Sequence, residues 1–402
     1  MGKWQSENGV DVIAKAFVFI ISPFLSFIVS IKSIKTRSSF FIFYLFAFFY
    51  GMGFITESGK SETARNDGAV FRALFEEYIC KLSFRDFQNE IIDILEGRSW
   101  HKDIYFHCVS YFVSTFTDNY HFLFLALAAI FGYFMLRSLM LMVKEDNFKV
   151  NIVCLLLVLL FVNNGIFNIN GMRFWTATWI ATYALLRVVI EKRKIYIALF
   201  AITPLVHSSF YFFFIIFLLY LFLKVKETKM MKMYYFSFFF SSISVFIISA
   251  FIGNISYLSR FMVYLDPEAV FNMYEEQSIA KAVFDVLGII YINCMFYLIY
   301  KSREQIPLKF KRLFDFCLIF ITVVNIIRPI PSLGSRYFMI LFPFLAYLWL
   351  VTYGSYQRRM FIYFLPIAML WYVHNSYIMF VMFLEPMFYW TNPVSLILRY
   401  LY

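Results

Sequence analysis

Between Asn163 and Trp175 the chain reads NNGIFNINGMRFW, with four asparagines, two glycines and an arginine set between runs of near-pure hydrocarbon. Arg173 follows Asn170 and Gly171 where a helical pattern begins. An asparagine at a helix cap satisfies free backbone N–H groups, and the helix start carries partial positive charge. A cation placed there is unfavourable for the bare helix and makes sense where an anion binds at the helix N-terminus. The bland alternative is an arginine that snorkels to lipid headgroups. Arg328 and Arg336 repeat the pattern around the Pro- and Gly-rich turn RPIPSLGSR, where Arg336 also opens a helix. Planar guanidinium groups grip phosphate oxygens in pairs, so two or three of them suit a pyrophosphate. His207, in PLVHSS, offers a base or a hydrogen-bond donor to phosphate, against the plainer reading of a structural hydrogen-bonder. Asp67 and Asp103 are rival bases for a sugar hydroxyl, against the plainer reading of merely solvated loop carboxylates, and Arg260 adds a further cation.

Hydrophobic helices must position these groups. The chain of 402 residues is 62% hydrophobic and 15% charged, with mean hydropathy +0.71. Soluble domains are nearer 45–50% apolar and ~25% charged. Runs long enough to cross a hydrocarbon core of ~30 Å lie near 12–31, 39–56, 120–141, 150–167, 173–191, 195–206, 209–223, 233–254, 281–300, 312–328, 337–353 and 360–383. The expected fold is all-α: a single polytopic integral membrane domain over 1–402 with about 11–13 transmembrane helices. The apolar segment 104–117 is short enough to be re-entrant or interfacial instead of spanning.

The formal charge of +11 suits Lys- and Arg-rich cytoplasmic loops better than nucleic acid. The basic loops 32–37, 191–194, 224–232, 301–312 and 356–359 then face the cytoplasm, and the connections 57–103, 163–172, 255–280 and 329–336 face outward. The first run, 12–31, lacks a cleavage site and reads as a retained helix with its N-terminus outside. Two crossings must fit between the loops 191–194 and 224–232, so the turn falls near His207, on the side of Asn170 and Arg173. In the long outer loop, two amphipathic helices are expected near 69–81 and 84–96, lying on the membrane. Five scattered cysteines show no CxxC spacing and five histidines no HExxH spacing, so neither a disulfide framework nor a protein-held metal or other cofactor is expected.

NINGMRFWTATWIATYALLRVVIEKRKIYIALFAITPLVHSSF resembles the EpsG-like, Wzy-type polysaccharide polymerases. Their Asn-x-x-Arg segment opens a helix, a basic loop follows, and a short helix ends in His-Ser or His-x-Ser. Asn170, Arg173 and His207 sit on those positions. Asp67 with Phe71 resembles the family's Asp-x-x-x-Tyr stretch, with Phe for Tyr, and SRYFMILFPFLAYL resembles its late Arg-Tyr helix and picks out Arg336. The usual Gln after the motif Arg is Phe174 here.

The resemblance implies a GT-C-like glycosyltransferase architecture in the bacterial cell inner membrane, with its active face towards the periplasm. It implies an enzyme that joins undecaprenyl-pyrophosphate-linked oligosaccharide repeat units into O-antigen, capsule or exopolysaccharide. Arg173, Arg328, Arg336, Asn170 and Arg260 would bind pyrophosphate and sugar; His207, Asp67 and Asp103 would be catalytic. Membrane lipid, a chain-length regulator and a flippase are the implied partners. A lipid-linked oligosaccharide flippase would need similar arginines, but along a central cavity and often in repeated halves. An O-antigen ligase shares the chemistry, and a membrane O-acyltransferase would use a catalytic histidine.

Overall fold

The apolar runs fold as helices, and no strand occurs among the described residues of the computed structural model, which are 4–56, 67–99, 103–144, 165–222, 226–252, 279–328, 333–353 and 388–401. The expected span 360–383, residues 150–164 of the expected span 150–167, residues 255–278 of the segment 255–280, and Arg260 lie outside them. The chain divides into two compact units, Met1–Phe214 with Arg359–Tyr402, and Ile215–Arg358.

The first unit departs from expectation at its start. The run 12–31 is not one helix but two, α1 (Gly9–Ile21) and α2 (Pro23–Ile31). Pro23 disfavours helical backbone at the residue before it. Ser22 accordingly sits extended and caps α2 through a 3.2 Å bond from the Leu25 amide. The chain then doubles back, and the Gln5 amide donates to the Lys35 carbonyl at 3.0 Å. Lys15, 4% exposed, holds this hairpin: its ammonium pairs with Glu7 and donates to Ser38 and Ser39 at 2.9 Å. At 1.5 Å rise per residue these helices are ~20 and ~14 Å long. The N-terminus therefore lies on the same side as the basic loop 32–37, not across from it.

Helix α3 (Arg37–Met52) packs along α7 (Tyr120–Val143). Small residues allow the close approach: a Cβ on Gly51 would stand 2.3 Å from Ala128 Cβ and 2.5 Å from the Phe124 carbonyl. Small residues at a crossing let the two backbones come into van der Waals contact. Between them in sequence lie α4 (Asp67–Ala73), a π turn at Leu74–Tyr78, α5 (Phe84–Leu95) and α6 (Ile104–Ser114). With 11 residues, α6 is ~16 Å long and too short to cross a hydrocarbon core.

The other face of α7 receives α8 (Met172–Val189), almost wholly buried along its length. A 3₁₀ turn, Ile166–Gly171, leads into it. The hairpin anticipated around His207 follows: α9 (Tyr196–Ala201), α10 (Thr203–Val206), the turn 207–209 and α11 (Phe210–Phe222). The C-terminal α16 (Pro393–Leu401) is tied to α7, where Asn119 donates to the Tyr400 carbonyl at 2.9 Å and Tyr400 stacks on His121 at 3.6 Å.

The second unit contains α12 (Glu227–Ile252), α13 (Ile279–Lys301), α14 (Lys311–Ile327) and α15 (Leu333–Tyr353). Asn293 and Asn325, both buried, exchange side-chain hydrogen bonds at 3.1 and 3.0 Å and clasp α13 to α14. Two helices among the described residues are long and apolar enough to cross a membrane, Tyr120–Val143 and Arg336–Tyr353; several others are apolar but shorter.

Candidate functional site

Four sequence-distant segments of the first unit meet at the N-terminal end of α8. Arg173 is the second residue of that helix. Its Nη1 donates to Asp103 Oδ2 at 2.7 Å, a charge-assisted contact spanning 70 residues. The other carboxylate oxygen, Asp103 Oδ1, accepts the backbone N–H of Ser208 at 3.0 Å. Asp103 is 4% exposed and lies by the starts of α8 and α11, where negative charge is favoured. One carboxylate thus fixes the arginine and the His207 turn together.

Asp103 was expected among the bases. Both of its oxygens are engaged, one by the Arg173 guanidinium and one by the Ser208 amide, so this geometry suits positioning better than proton abstraction.

Asp103 is the sole hydrogen-bond acceptor of Arg173 among the described residues. A guanidinium has five N–H donors, and the Arg173 side chain is 30% exposed. Donors therefore remain for a ligand anion. The guanidinium also lies over the Phe71 ring, 4.4 Å from its centroid. Phe71, the departure from the family pattern, is an aromatic platform for the cation, a contact that needs no tyrosine hydroxyl.

Asn170 does not cap α8 as expected. Gly171 occupies the cap without a side-chain bond, and the Asn170 Oδ1 instead accepts the Gly68 amide at 2.8 Å. The asparagine is spent on joining α4 to the 3₁₀ turn, because the N-terminus of α4 brings its own unsatisfied donors to the same place. Asp67, the residue before Gly68, is exposed at the start of α4.

His207 closes α10 in extended conformation. Its Nδ1 receives the Ser209 amide at 3.3 Å and stands 2.8 Å from the Ser209 hydroxyl. An amide can only donate, so Nδ1 is the acceptor and the neutral ring carries its proton on Nε2. Nε2 is then a hydrogen-bond donor. Phe174 packs edge-on against the ring at 5.5 Å. Ser208 and Ser209 were named in sequence only as neighbours of His207; the tight turn they form was the available signal.

Around this centre the segment between α3 and α7 is pinned down. Arg72 donates to Glu76 at 3.0 Å and to the Thr56 carbonyl at 2.8 Å, and lies 4.0 Å over the Tyr120 ring. Phe87 stacks on Tyr111 at 4.1 Å and joins α5 to α6.

Arg328 and Arg336 belong to the second unit, Arg328 at the end of α14 and Arg336 near the start of α15, and residues 329–332 between these helices lie outside the described residues. Gly334 is pressed against the Arg328 backbone, where a Cβ would come within 2.2 Å of the carbonyl oxygen. Any side chain at 334 would force these two stretches of backbone apart. No group of three or more His, Cys, Asp or Glu residues placed to hold a metal ion occurs among the described residues.

Comparison with curated proteins and with solved structures finds no significant match. A family model described as the EpsG family matches residues 76–388. That range takes in Asp103, Asn170, Arg173, His207, Arg328 and Arg336, and leaves Asp67, Gly68 and Phe71 just upstream of it. The chain belongs to the EpsG family, and so to the membrane-associated proteins of polysaccharide biosynthesis, with a polymerase type of glycosyl transfer.

Proposed function

We propose that this chain is a polytopic inner-membrane polymerase that joins undecaprenyl-pyrophosphate-linked oligosaccharide units into surface polysaccharide on the outer leaflet. The observation that carries the reading is the Asp103–Arg173 pair with the His207 turn hung from the same carboxylate. It gives a preorganised cation with spare donors beside a neutral imidazole donor.

In this mechanism Arg173 holds the pyrophosphate of the donor chain. Its charge offsets the negative charge that grows on the phosphate as the anomeric carbon departs, a form of electrostatic transition-state stabilisation. The His207 Nε2–H donates to a phosphate or sugar oxygen. An acceptor hydroxyl attacks the anomeric carbon; the new C–O bond forms as the bond to the phosphate oxygen breaks, and the lipid pyrophosphate leaves. The hydroxyl proton passes to a carboxylate, for which exposed Asp67 is better suited than ion-paired Asp103. Direct attack inverts the anomeric centre. Arg328, Arg336 and Arg260 are assigned to further contacts with pyrophosphate or sugar.

The topology follows from the same picture. With the first run a hairpin and α6 not crossing, α3 and α7 carry the chain out and back. Asp103, Arg173 and His207 then share the outer end, and the basic loops 32–37 and 191–194 share the inner one. A chain-length regulator and a flippase are the expected partners.

The test is a gel of surface polysaccharide stained for chain length, from a deletion strain complemented with Arg173→Ala or Arg173→Lys. A ladder collapsed to single repeat units in the deletion, restored by wild type and not by Arg173→Ala, supports the reading. Full-length chains in the deletion strain overturn it.

A further inference from the structure

The end of the first unit away from Arg173 gathers cations without the carboxylates to balance them. Arg187 lies 14 residues along α8 from Arg173, ~21 Å at the helical rise. Its Nε donates to the Tyr183 hydroxyl at 3.2 Å, and Arg137 Nη2 donates to the same oxygen at 3.4 Å. Two guanidinium groups thus share one neutral acceptor. Lys144, which caps α7, places its ammonium 4.3 Å from the centre of the Trp4 ring. Burial, and then the charges of Arg37, Arg137 and Arg187, hold the Lys144 pKa below its ordinary value.

Glu191 is the carboxylate of this group, and it is already shared by Arg187 and, at 3.4 Å, Arg193. No carboxylate lies within ion-pair distance of Arg37, Arg137 or Lys144 among the described residues. The Arg137 Nε is buried and makes no hydrogen bond. A buried guanidinium donor without an acceptor is destabilising in a low-dielectric setting, and more so with other cations beside it. An anion placed between Arg137 and Lys144 removes both penalties at once.

Where that anion comes from follows from the position of Arg137. It sits six residues before the end of α7, ~9 Å inside the helix terminus. Tyr133, one turn deeper on the same helix, is 48% exposed, and its ring lies 5.8 Å from the guanidinium. The opening is lateral, along the apolar outer surface of the unit. A phosphate with acyl chains attached fits that approach, since the chains can run past Tyr133 while the headgroup meets the arginine.

We propose that Arg137 and Lys144, braced by Tyr183 and Arg187, form a binding site for the phosphate of an anionic phospholipid at the inner end of the first unit. The site is remote from Arg173 and requires only that the protein reside in a membrane, not that it be a polymerase.

The test is native mass spectrometry of the detergent-purified full chain with phosphatidylglycerol or phosphatidylcholine at equal concentration, and with soluble glycerol 3-phosphate as competitor. Arg137→Gln and Lys144→Gln each remove one cation and keep hydrogen-bonding capacity; Tyr183→Phe keeps the ring and drops the shared oxygen. A cation near the headgroups is worth about 1 kcal/mol, or roughly fivefold in binding. The wild type is expected to retain phosphatidylglycerol over phosphatidylcholine, Arg137→Gln and Lys144→Gln each to lose about fivefold of that preference, Tyr183→Phe, which removes no cation, to lose less, and glycerol 3-phosphate not to compete. Equal retention of both lipids by the wild type overturns the proposal. So does a preference unchanged in all three variants, or displacement of the lipid by glycerol 3-phosphate, which would mark a site for free anions. Loss of polymer in a strain assay leaves these readouts unaffected.

Discussion

The Asn170 side-chain oxygen stands 2.8 Å from the Gly68 amide nitrogen, joining residues 102 apart in sequence. This contact fastens α4, which carries Asp67 and Phe71, against the turn that opens the Arg173 helix. Asn170→Ala removes the acceptor and leaves a helix-start amide unmatched, which costs about 1–3 kcal/mol where the group is buried. Gly68→Ala reaches the same end by a different route, because the added Cβ would stand 2.7 Å from the Asn170 oxygen and 3.0 Å from the Phe54 ring. Both variants are expected to shorten polysaccharide chains while leaving the amount of inserted protein near normal. Asn170→Asp, which keeps an oxygen at that place, should fall between them and wild type on the same gel.

The Asp103–Arg173 pair invites a double-mutant cycle. The acid is nearly buried and the arginine 30% exposed, so the coupling should lie between the ~0–1 kcal/mol of surface pairs and the ~3–5 kcal/mol lost on breaking buried ones. Asp103→Asn keeps an oxygen for the Ser208 amide and removes the charge. Arg173→Gln removes the cation. The expected outcome is a strong stability loss in Asp103→Asn, partly recovered in the double variant, with activity absent from both variants that lack Arg173. Additive stability losses in thermal unfolding would mean that the two charges do not depend on each other in the folded protein.

Several parts of this site were legible in the chain. Arg173 and His207 stood out because polar residues between hydrocarbon runs need a reason, and the short loop spacing already put them at one end. Asp103 was visible only as one carboxylate among many; nothing local distinguishes it, since its partners are 70 and 105 residues away. Asn170 was assigned to its own helix by a capping rule, and the competing donor at Gly68 could not be foreseen. The hairpin of α1 and α2 was missed although its signal, Ser22 before Pro23, lay in plain view. Pro23 breaks the apolar run at Ser22, and Lys15 is accommodated within it because Glu7 and the hydroxyls of Ser38 and Ser39 meet its ammonium.

The hydrogen bonds around His207 separate a donor from a base. Glutamine can place an N–H near the position of Nε2, whereas asparagine reaches only that of Nδ1. If His207 serves as an Nε2–H donor, His207→Gln should keep measurable polymerisation while His207→Asn and His207→Ala do not. Ser209→Ala, which removes one donor to Nδ1, should lower the rate about 2–10-fold, the worth of one neutral hydrogen bond. Ser209→Thr should restore it. A His207→Gln variant as inactive as His207→Ala, with normal insertion, would assign proton abstraction to the ring.

Cys80 provides a pH-dependent readout of the outer loop. Burial pushes its thiol up to about 11, and the nearby carboxylates of Asp118 and Glu76 push it the same way. The thiolate is the reactive form, and a raised value means that less of it exists at a given pH. Relative to a thiol at the ordinary value of 9.0, the thiolate fraction at pH 8 falls about 100-fold. In a variant retaining only this cysteine, alkylation at pH 8 should be slow by that factor and should accelerate as pH rises toward 11. Unfolding by detergent should abolish the difference. Fast labelling at pH 8 in the folded protein would mean that the loop is not seated as described.

The doubling-back of α1 and α2 places the N-terminus, which the basic loop alone could not do. Glu7 and Lys15 are both nearly buried in side chain. Burial raises the Glu7 carboxyl pKa, but the bonds from Lys15 and Ser38 outweigh it, and the value lies below the ordinary one. An acid depressed in the folded state contributes stability above its unfolded value, near 4.5, and loses that contribution as the pH falls through the folded one. Wild type should therefore lose thermal stability on acidification below that point more steeply than Glu7→Gln, which has no carboxyl to protonate. Glu7→Gln at neutral pH leaves Lys15 buried without its counter-charge and should already be destabilised. The location is tested separately with an impermeant maleimide on intact cells. A cysteine introduced at Ser6 should stay unlabelled until the membrane is opened, whereas one at Ser99, in the outer loop, should label at once. Labelling of both in intact cells would return the first run to a single crossing and set α1 and α2 end to end.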